Sequence, residues 1–127
     1  MARGIKKFLI KKLASFEKRP WGEFFNLAES PKKWRVKIIH IKKGRRFSLQ
    51  SHKLRDEQWI VAEGKVRVIK GKKEFGLNAG DHVIVKRGEK HRIFAQTEAV
   101  VVEVSFGKFL EKDIIRFEDD YGRARKI

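Results

Sequence analysis

Four residues in the middle of the chain have the types and the spacing of a metal site. Gln50 and His52 lie two positions apart, and Glu57 follows five residues after His52. Side chains at positions i and i+2 of a strand leave the same face. Gln50 and His52 can therefore converge on one point, and Glu57 can join them from the start of the next strand. With His91, which follows a turn at Gly88, the sequence predicts a site with two nitrogen and two oxygen ligands.

The donor set suits a divalent first-row metal ion. Neutral imidazoles and a carboxylate bind such ions, and the amide oxygen of Gln50 is a hard, uncharged fourth ligand. We expect zinc, while manganese, iron, nickel or cobalt also fit these donors. Taken singly, His52 or His91 is more simply explained as an ordinary surface or core histidine. Their joint spacing with Gln50 and Glu57 favours the metal site.

Elements of strand character must position these ligands. From Trp21 onward, apolar and polar residues alternate with a period of two, and the runs are broken by glycine turns such as Gly71. Seven to nine short strands at this spacing are typical of an all-β antiparallel sandwich or barrel.

The first part of the chain has a different pattern. Between Ile5 and Phe16 the apolar residues recur at helical spacing, with lysines outside the stripe. We expect residues 1–18 to form a basic arm, helical or extended, in front of a domain at residues 19–127. Packing of this arm on the barrel or on a partner subunit is the simpler interpretation, and a membrane-surface helix is the alternative.

Length and composition restrict the class of protein. A chain of 127 residues suits one domain and leaves no room for a nucleotidyltransferase beside it. With no cysteine, disulfides and thiolate metal sites are excluded. No run reaches the 18 or so apolar residues of a spanning helix. Lysines interrupt the N-terminal apolar run, unlike a signal peptide, so we expect a cytoplasmic protein.

The charge predicts an anionic partner. The net charge is +16, from 32 basic and 16 acidic residues, which favours phosphorylated sugars, nucleic acid or acidic lipid. We expect no specific nucleic acid, because the aromatic residues lie in strand and tail motifs and not in a stacking array. The charged fraction of 38% resembles that of proteins from very hot environments, in which many lysines form an ion-paired surface.

The two ligand-bearing blocks resemble the two motifs of the cupin superfamily. The first motif is matched, with all its spacings, by Gly44, Gln50, His52, Glu57 and Gly64. The second motif fits at Gly80, Gly88 and His91, while Lys86 and Ala95 stand where it has proline and asparagine. The resemblance implies a single jelly-roll barrel, the double-stranded β-helix.

Further motifs narrow the resemblance to the type II phosphomannose isomerase domain. They are Arg19-Pro20-Trp21-Gly22, Trp34-x-Val36-Lys37, Ser48-Leu49-Gln50-x-His52-x-x-Arg55-x-Glu57-x-Trp59, His91-Arg92, Glu103-Val104 and the closing DIIRFEDDYGR. The resemblance runs from about Arg19 to Arg123. In that family the domain is usually the C-terminal half of an enzyme whose N-terminal half is a mannose-1-phosphate guanylyltransferase.

The resemblance implies a metal-dependent interconversion of mannose 6-phosphate and fructose 6-phosphate. In that reaction the metal polarises the sugar carbonyl, and we expect Arg55 to stabilise the developing oxyanion. An ion pair of Arg55 with Asp56 or with an acid of the C-terminal tail is the structural alternative. Glu103, an acid among valines, is the candidate base, because burial raises a carboxyl pKa toward the range useful for proton transfer.

The phosphate group needs basic partners. The candidates flank His91 or lie in the closing motif, namely Lys86, Lys90, Arg92, Arg116 and Arg123. The sequence departs from the family at Lys53, Leu54 and Gln58, where further histidines are frequent.

Two other functions fit the same residues. One is a module that keeps the metal and sugar-phosphate pocket without turnover and serves as a sensor or regulatory subunit. The other is a different metal-dependent cupin activity, since one fold hosts many chemistries. For all of these functions, including the isomerase, we expect a homodimer, because cupin relatives often pair through sheet edges.

Overall fold

The structure is a computed structural model of the chain, and it describes residues 15–30, 32–108 and 110–122. These ranges contain eleven strands and one 3-10 turn. In chain order they are β1 Ser15–Arg19, β2 Gly22–Ser30, β3 Trp34–Ile41, β4 Leu49–Ser51, β5 Arg55–Glu63, β6 Lys65–Lys70, β7 Lys73–Asn78, β8 His82–Val85, β9 His91–Ala95, β10 Ala99–Gly107, the 3-10 turn Glu111–Asp113 and β11 Ile115–Glu118. The all-β prediction is confirmed. The strand number exceeds the predicted seven to nine, since strands as short as β4 and β11 show too little alternation. No helix in the described ranges has the length and apolar character needed to cross a membrane.

The strands form two antiparallel sheets. The larger sheet has the order β1-β2-β3-β10-β5-β8, and the smaller one has the order β11-β4-β9-β6-β7. Their inner faces bury one apolar cluster, formed by Trp21, Ile39, Ile41, Trp59, Val61, Val66, Val68, Val85, Ile93, Ala95, Ala99 and Val101. Because this cluster draws on both sheets, the structure is a two-layer sandwich with its core between the layers.

The inner face of the larger sheet changes from apolar to charged along the strands. Three cross-strand rows, each with one residue from β3, β10 and β5, show the change: Ile39, Val101 and Val61; Lys37, Glu103 and Trp59; Arg35, Ser105 and Glu57. Directly opposite residues on one face are close neighbours. One end of the sandwich is therefore a dry core, and the other end gathers charged side chains around a common space.

The first strand lies partly inside the predicted arm. β1 pairs with β2 from Ser15 opposite Asn26 to Arg19 opposite Gly22. Phe16, which belongs to the predicted helical stripe, lies in this strand, and its ring centroid is 5.0 Å from that of Phe25. The sheet thus begins at residue 15, whereas the rest of the arm, at residues 1–14, lies outside the described residues.

Candidate metal centre

The structure brings together three of the four predicted metal ligands. His52 lies in the loop after β4, Glu57 lies in β5, and His91 begins β9. One ligand atom from each of the three lies within 4.8 Å of the others, and the two imidazole ring centroids are 4.6 Å apart. The antiparallel pairing of β4 with β9 thus carries residues 39 positions apart to a common point.

Backbone carbonyl groups orient both imidazole rings. The Nδ1 of His91 lies 2.9 Å from the carbonyl oxygen of Glu89, and the Nδ1 of His52 lies 3.4 Å from that of Arg55. A proton on Nδ1 that is donated to a carbonyl leaves Nε2 with a lone pair. Both rings therefore present Nε2 as the ligand atom.

The atoms that face one another in this cluster lack hydrogen bonds. Nε2 of His52, Nε2 of His91 and Oε1 of Glu57 are buried without a hydrogen-bond partner among the described residues. The nearest approaches are 3.4 Å from His52 Nε2 to Glu57 Oε2 and 3.8 Å from His91 Nε2 to Glu57 Oε1. Buried polar atoms are ordinarily paired, and one divalent cation satisfies all three atoms at once. The residues present therefore fit a metal ion.

The protonation states of His91 and Glu57 are those that metal binding requires. Burial lowers the pKa of His91 to about 4, and the nearby Glu57 opposes this only in part. For Glu57, burial acts against the charged form, but the adjacent imidazole of His52, together with His91 and Arg55, lowers its pKa well below the usual range. Near neutral pH the site thus offers a neutral imidazole and a carboxylate, the forms that coordinate metals.

Gln50, the fourth predicted ligand, lies beside the cluster. It is directly opposite His91 in the β4–β9 pair, and its side chain lines the adjoining cavity. Its Oε1 accepts a hydrogen bond of 2.7 Å from Ser48 Oγ. Its role as a ligand stays a prediction.

Arg55 contacts the cluster through Glu57. Its Nε lies 2.9 Å from Glu57 Oε2, and both side chains are 2% exposed. The alternative partner Asp56 instead accepts a hydrogen bond of 2.8 Å from the backbone N–H of Arg87. Arg55 therefore fixes Oε2, which is also the oxygen nearest to His52 Nε2, and leaves Oε1 turned toward His91 Nε2.

A cavity of about 440 Å³ opens above the cluster between the two sheets. Five basic and three acidic side chains line it, namely Arg19, Arg35, Lys37, Arg55 and Arg116 with Glu17, Glu57 and Glu103. Trp21, Phe24, Phe47 and Trp59 supply aromatic walls. An excess of cationic groups in a half-enclosed space favours anionic ligands.

Glu103 lies on the cavity wall in the second of the three cross-strand rows. Its Oε1 accepts a hydrogen bond of 3.2 Å from Trp59 Nε1, and its Oε2 lies 3.9 Å from Lys37 Nζ. Burial and the charge of Glu57 raise the pKa of Glu103 to about 7, although Lys37 and Arg55 oppose the shift. Burial also lowers the pKa of Lys37. The cavity thus holds a carboxyl group that both gains and loses a proton near neutral pH.

The predicted phosphate residues are not gathered at one place. Arg116 lines the cavity. Lys86 and Lys90 are exposed and do not line it. Arg92 is buried elsewhere, where its Nε donates 2.8 Å to the carbonyl oxygen of Phe47 and its Nη1 lies 3.2 Å from Glu118. Arg123 lies outside the described residues.

Sequence reasoning missed the basic residues that the larger sheet contributes to the cavity, Arg19, Arg35 and Lys37. Lys37 had a usable signal. It stands among apolar residues in WRVKIIHI and is in phase with the buried Ile39 and Ile41, as Glu103 stands among valines. Arg19 opens the motif Arg19-Pro20-Trp21-Gly22, but no apolar alternation marks it, since it ends the short edge strand β1.

Residues 10–119 match the family described as mannose-6-phosphate isomerase C-terminal. The chain belongs to this family. The separated motifs predicted this family, and the prediction is confirmed.

Curated relatives of this mannose-6-phosphate isomerase C-terminal domain are much longer proteins. This chain is 36% identical over 109 residues to the xanthan biosynthesis protein XanB of Xanthomonas campestris pv. campestris, and the alignment covers 84% of this chain and 23% of that protein. This chain is also 32% identical over 111 residues to the mannose-1-phosphate guanylyltransferase RfbM of Salmonella typhimurium, and the alignment covers 85% of this chain and 23% of that protein. The chain therefore spans about a quarter of the length of these relatives.

Solved structures support the predicted fold. KdgF from Halomonas sp. aligns with a TM-score of 0.70 at 15% identity, covering 75% of this chain and 89% of that one. The cupin domain of Cnp3 from Schizosaccharomyces pombe aligns with a TM-score of 0.64 at 15% identity, covering 68% and 64%. The cupin, double-stranded β-helix fold is confirmed.

The predicted activity, interconversion of mannose 6-phosphate and fructose 6-phosphate, is wrong. RfbM and further relatives are named mannose-1-phosphate guanylyltransferases, and others are named for xanthan or alginate biosynthesis. The physical reason is that the motifs specify a barrel and its ligand cluster, and one such scaffold hosts many reactions. The relatives are sugar-phosphate-processing enzymes, and this broader description is the one that the family supports.

Proposed function

We propose that this chain binds a divalent metal ion and a phosphorylated sugar together in the cavity between the sheets. The observation that carries the proposal is the buried cluster of His52, Glu57 and His91, whose ligand atoms lie within 4.8 Å of one another beside a cavity lined by five basic and three acidic side chains. A metal centre next to fixed cations suits a ligand that has both hydroxyl oxygens and a phosphate group.

The three clustered residues hold the metal, and Arg55 holds Glu57 in place through its 2.9 Å contact. When bound, the ion acts as a Lewis acid and as a template for sugar oxygens. The donors suit zinc, manganese, iron, nickel or cobalt, with zinc as our first choice and Gln50 as a fourth ligand. Two imidazoles and one carboxylate leave coordination positions for the ligand.

The phosphate group is held at the basic wall by Arg19, Arg35 and Arg116, which line the cavity together. Guanidinium groups bind phosphate in a bidentate manner and stay charged at all physiological pH values. This set replaces Lys86, Lys90 and Arg92, which lie away from the cavity. Since relatives are named mannose-1-phosphate guanylyltransferases, mannose 1-phosphate is the first ligand to test.

The experiment measures binding of mannose 1-phosphate by titration calorimetry, with metal-free and with metal-loaded protein. We expect binding only with metal. His52→Ala should bind neither metal nor sugar phosphate. Arg116→Met should still bind metal, but its affinity for the sugar phosphate should fall by about tenfold or more. Lys86→Met, an exposed lysine outside the cavity, is the matched control and should bind as the unmodified chain does. Equal sugar-phosphate affinity in the presence and absence of metal would contradict the proposal.

A second candidate is a metal-dependent enzyme that acts on the bound sugar phosphate. The observation that favours it is Glu103, a buried carboxyl on the cavity wall beside Lys37. In this role Glu103 transfers a proton to or from the bound sugar phosphate, and Arg55 stabilises the negative charge that develops on it. Proton and phosphorus NMR of the metal-loaded protein with mannose 1-phosphate should show a change in the sugar that Glu103→Gln abolishes. Unchanged spectra over many hours would remove this candidate.

The chain is proposed to form a homodimer through a sheet edge. In the larger sheet β1 and β8 are the terminal strands, and a terminal strand presents backbone groups that a second copy can pair with. Sedimentation velocity tests this directly. A single species with the mass of one chain at all accessible concentrations would contradict it.

A further inference from the structure

Large exposed apolar side chains gather at one end of the barrel. Five such side chains are exposed in the described ranges, and four of them are Trp34 at 40%, Leu54 at 38%, Phe106 at 49% and Leu110 at 39%. The fifth, Ile84, lies in β8, two strands away from β10 in the larger sheet. Scattered single apolar residues need no explanation, but a group of four on a strongly charged protein does.

Three chain segments meet to form this end. Trp34, which begins β3, is directly opposite Phe106 near the end of β10. The backbone N–H of Gly107 donates 2.7 Å to the carbonyl oxygen of Lys33, and that of Lys108 donates 3.1 Å to the carbonyl oxygen of Leu54. The 3-10 turn joins them, since the Asp113 carboxylate accepts the backbone N–H groups of residues 53 and 54 at 3.1 and 3.0 Å. The four apolar side chains therefore belong to one surface.

Exposed lysines surround the four apolar residues. The same segments carry Lys32, Lys33, Lys53, Lys108 and Lys112. We call the four apolar residues and these five lysines the lysine-rimmed patch. Nearby acids already have partners, as Glu29 pairs with Arg35 at 2.9 Å and Asp56 accepts the backbone N–H of Arg87. The patch is thus apolar at its centre and positive at its rim.

A groove of about 350 Å³ lies within the patch, between Trp34 and Leu110. Lys32 and Lys108 line it, and so does Arg35, which also lines the cavity above the metal cluster. The patch and the opening of that cavity are therefore neighbours on the molecular surface.

We propose that the lysine-rimmed patch binds the surface of an anionic lipid bilayer. Aromatic side chains prefer the headgroup level, and lysines beside them attract anionic headgroups. Two alternatives fit less well. Protein interfaces are depleted in lysine, and a second copy of this chain would bring another +16 of charge against the same rim. Apolar contact and charge both favour lipid.

The test uses the full chain and vesicles of phosphatidylcholine, alone or with about 30% phosphatidylserine. Trp34 is a built-in probe, because Trp21 and Trp59 are only 7% and 1% exposed. Binding should shift the tryptophan emission to shorter wavelength, and brominated lipid should quench it, with the phosphatidylserine vesicles only. Absence of both signals and of co-sedimentation with these vesicles would overturn the proposal.

Matched variants assign the binding to the patch. Phe106→Ser with Leu110→Ser, and separately Lys32→Glu with Lys33→Glu, should each weaken partitioning by about tenfold or more. Ile84→Ser is the apolar control, and Lys42→Glu with Lys43→Glu, at the opposite end of β3, is the charge control. Both controls should bind within about twofold of the unmodified chain.

Three further results would contradict the proposal. Unchanged binding by the patch variants would place the contact elsewhere, as in residues 1–18. Equal losses in the patch and control charge variants would indicate unspecific attraction. Conversion of a dimer to a monomer by the patch variants, without lipid, would make the patch a protein interface.

Discussion

The residue-scale feature on which the function depends is a carboxylate buried between two imidazoles. His52, Glu57 and His91 are at most 2% exposed. Burial of an ionised carboxylate is costly unless a cation or several hydrogen bonds compensate. Arg55 satisfies Oε2 of Glu57, and the nearest approaches of the imidazoles are 3.4 Å from His52 Nε2 to Oε2 and 3.8 Å from His91 Nε2 to Oε1. The arrangement is that of a set of metal ligands.

Removal of the Glu57 charge should abolish metal binding while keeping the shape of the site. We expect Glu57→Gln to lower the affinity for zinc or manganese by at least about 100-fold, because the amide is a far weaker ligand than the carboxylate. Titration calorimetry with each metal measures this. Glu118→Gln, whose carboxylate is 65% exposed, is the control and should bind metal normally. Equal metal affinity in the two variants would refute the assignment.

Glu103 should make the metal-free protein less stable as pH rises. Its pKa is about 7 in the folded chain and about 4.5 when unfolded, so the unfolded state loses the proton first. This unfavourable contribution is absent below about pH 4.5, grows through the interval between the two pKa values and is complete above pH 7. Relative to Glu103→Gln, the free energy of unfolding should fall by roughly 2–3 kcal/mol across that interval.

Urea unfolding at several pH values, in the presence of a chelator, measures this difference. Glu57 contributes with the opposite sign, but it is present in both proteins and cancels in the comparison. A difference between the two proteins that stays constant from about pH 4 to pH 8 would show that Glu103 is not buried as described.

Residue types and spacing were enough to predict that His52, Glu57 and His91 lie together. His52 and Glu57 are close in sequence, and a glycine turn marks His91. The phosphate residues could not be predicted in this way, since 32 basic residues offer too many candidates. Arg19 and Arg35 reach the cavity only because β1, β2 and β3 are neighbours in the larger sheet.

At the scale of elements, alternation along each strand determines which residues face the cavity. The period of two placed Lys37, Ile39 and Ile41 on one face, and the burial of all three agrees with that pattern. Alternation does not say which strands pair. The β3–β10 pair joins residues more than 50 positions apart, and this long-range pairing creates the row with Lys37 opposite Glu103.

The tight turn between β5 and β6 should tolerate no side chain at Gly64. Its φ is +86°, and a Cβ there would lie 2.3 Å from the carbonyl oxygen of Glu98. Gly80 is a matched control, because its φ is +95° and a Cβ would meet no atom within 4 Å. We expect Gly80→Ala to cost about 1–2 kcal/mol from the backbone alone, and Gly64→Ala to cost clearly more. Thermal unfolding measures both, and equal losses would contradict the close approach.

At the scale of the whole molecule, the metal ion should stabilise the fold. The proposed ligands lie in the loop after β4, in β5 and in β9, so a bound ion would connect both sheets. A metal that binds only the folded state adds about 2.7 kcal/mol when its concentration is 100 times the dissociation constant. The melting temperature should therefore rise with added zinc or manganese. The melting temperature of Glu57→Gln should not change with added metal, and an equal rise in that variant would indicate metal binding elsewhere.

The overall charge predicted an anionic partner but not where such a partner binds. The structure separates two positive regions, the arginines of the cavity and the lysine-rimmed patch, and we propose a different ligand for each. Only the folded arrangement makes this distinction, because Lys32 and Lys108 are far apart in sequence and meet through the backbone contacts of Gly107.

Anomalous diffraction from crystals soaked in a zinc or manganese salt tests the central assignment most directly. We predict one strong peak between the imidazoles, about 2.0–2.2 Å from Nε2 of His52 and Nε2 of His91 and from a carboxylate oxygen of Glu57. A map from a well-ordered soaked crystal with no peak among these three residues would contradict the account.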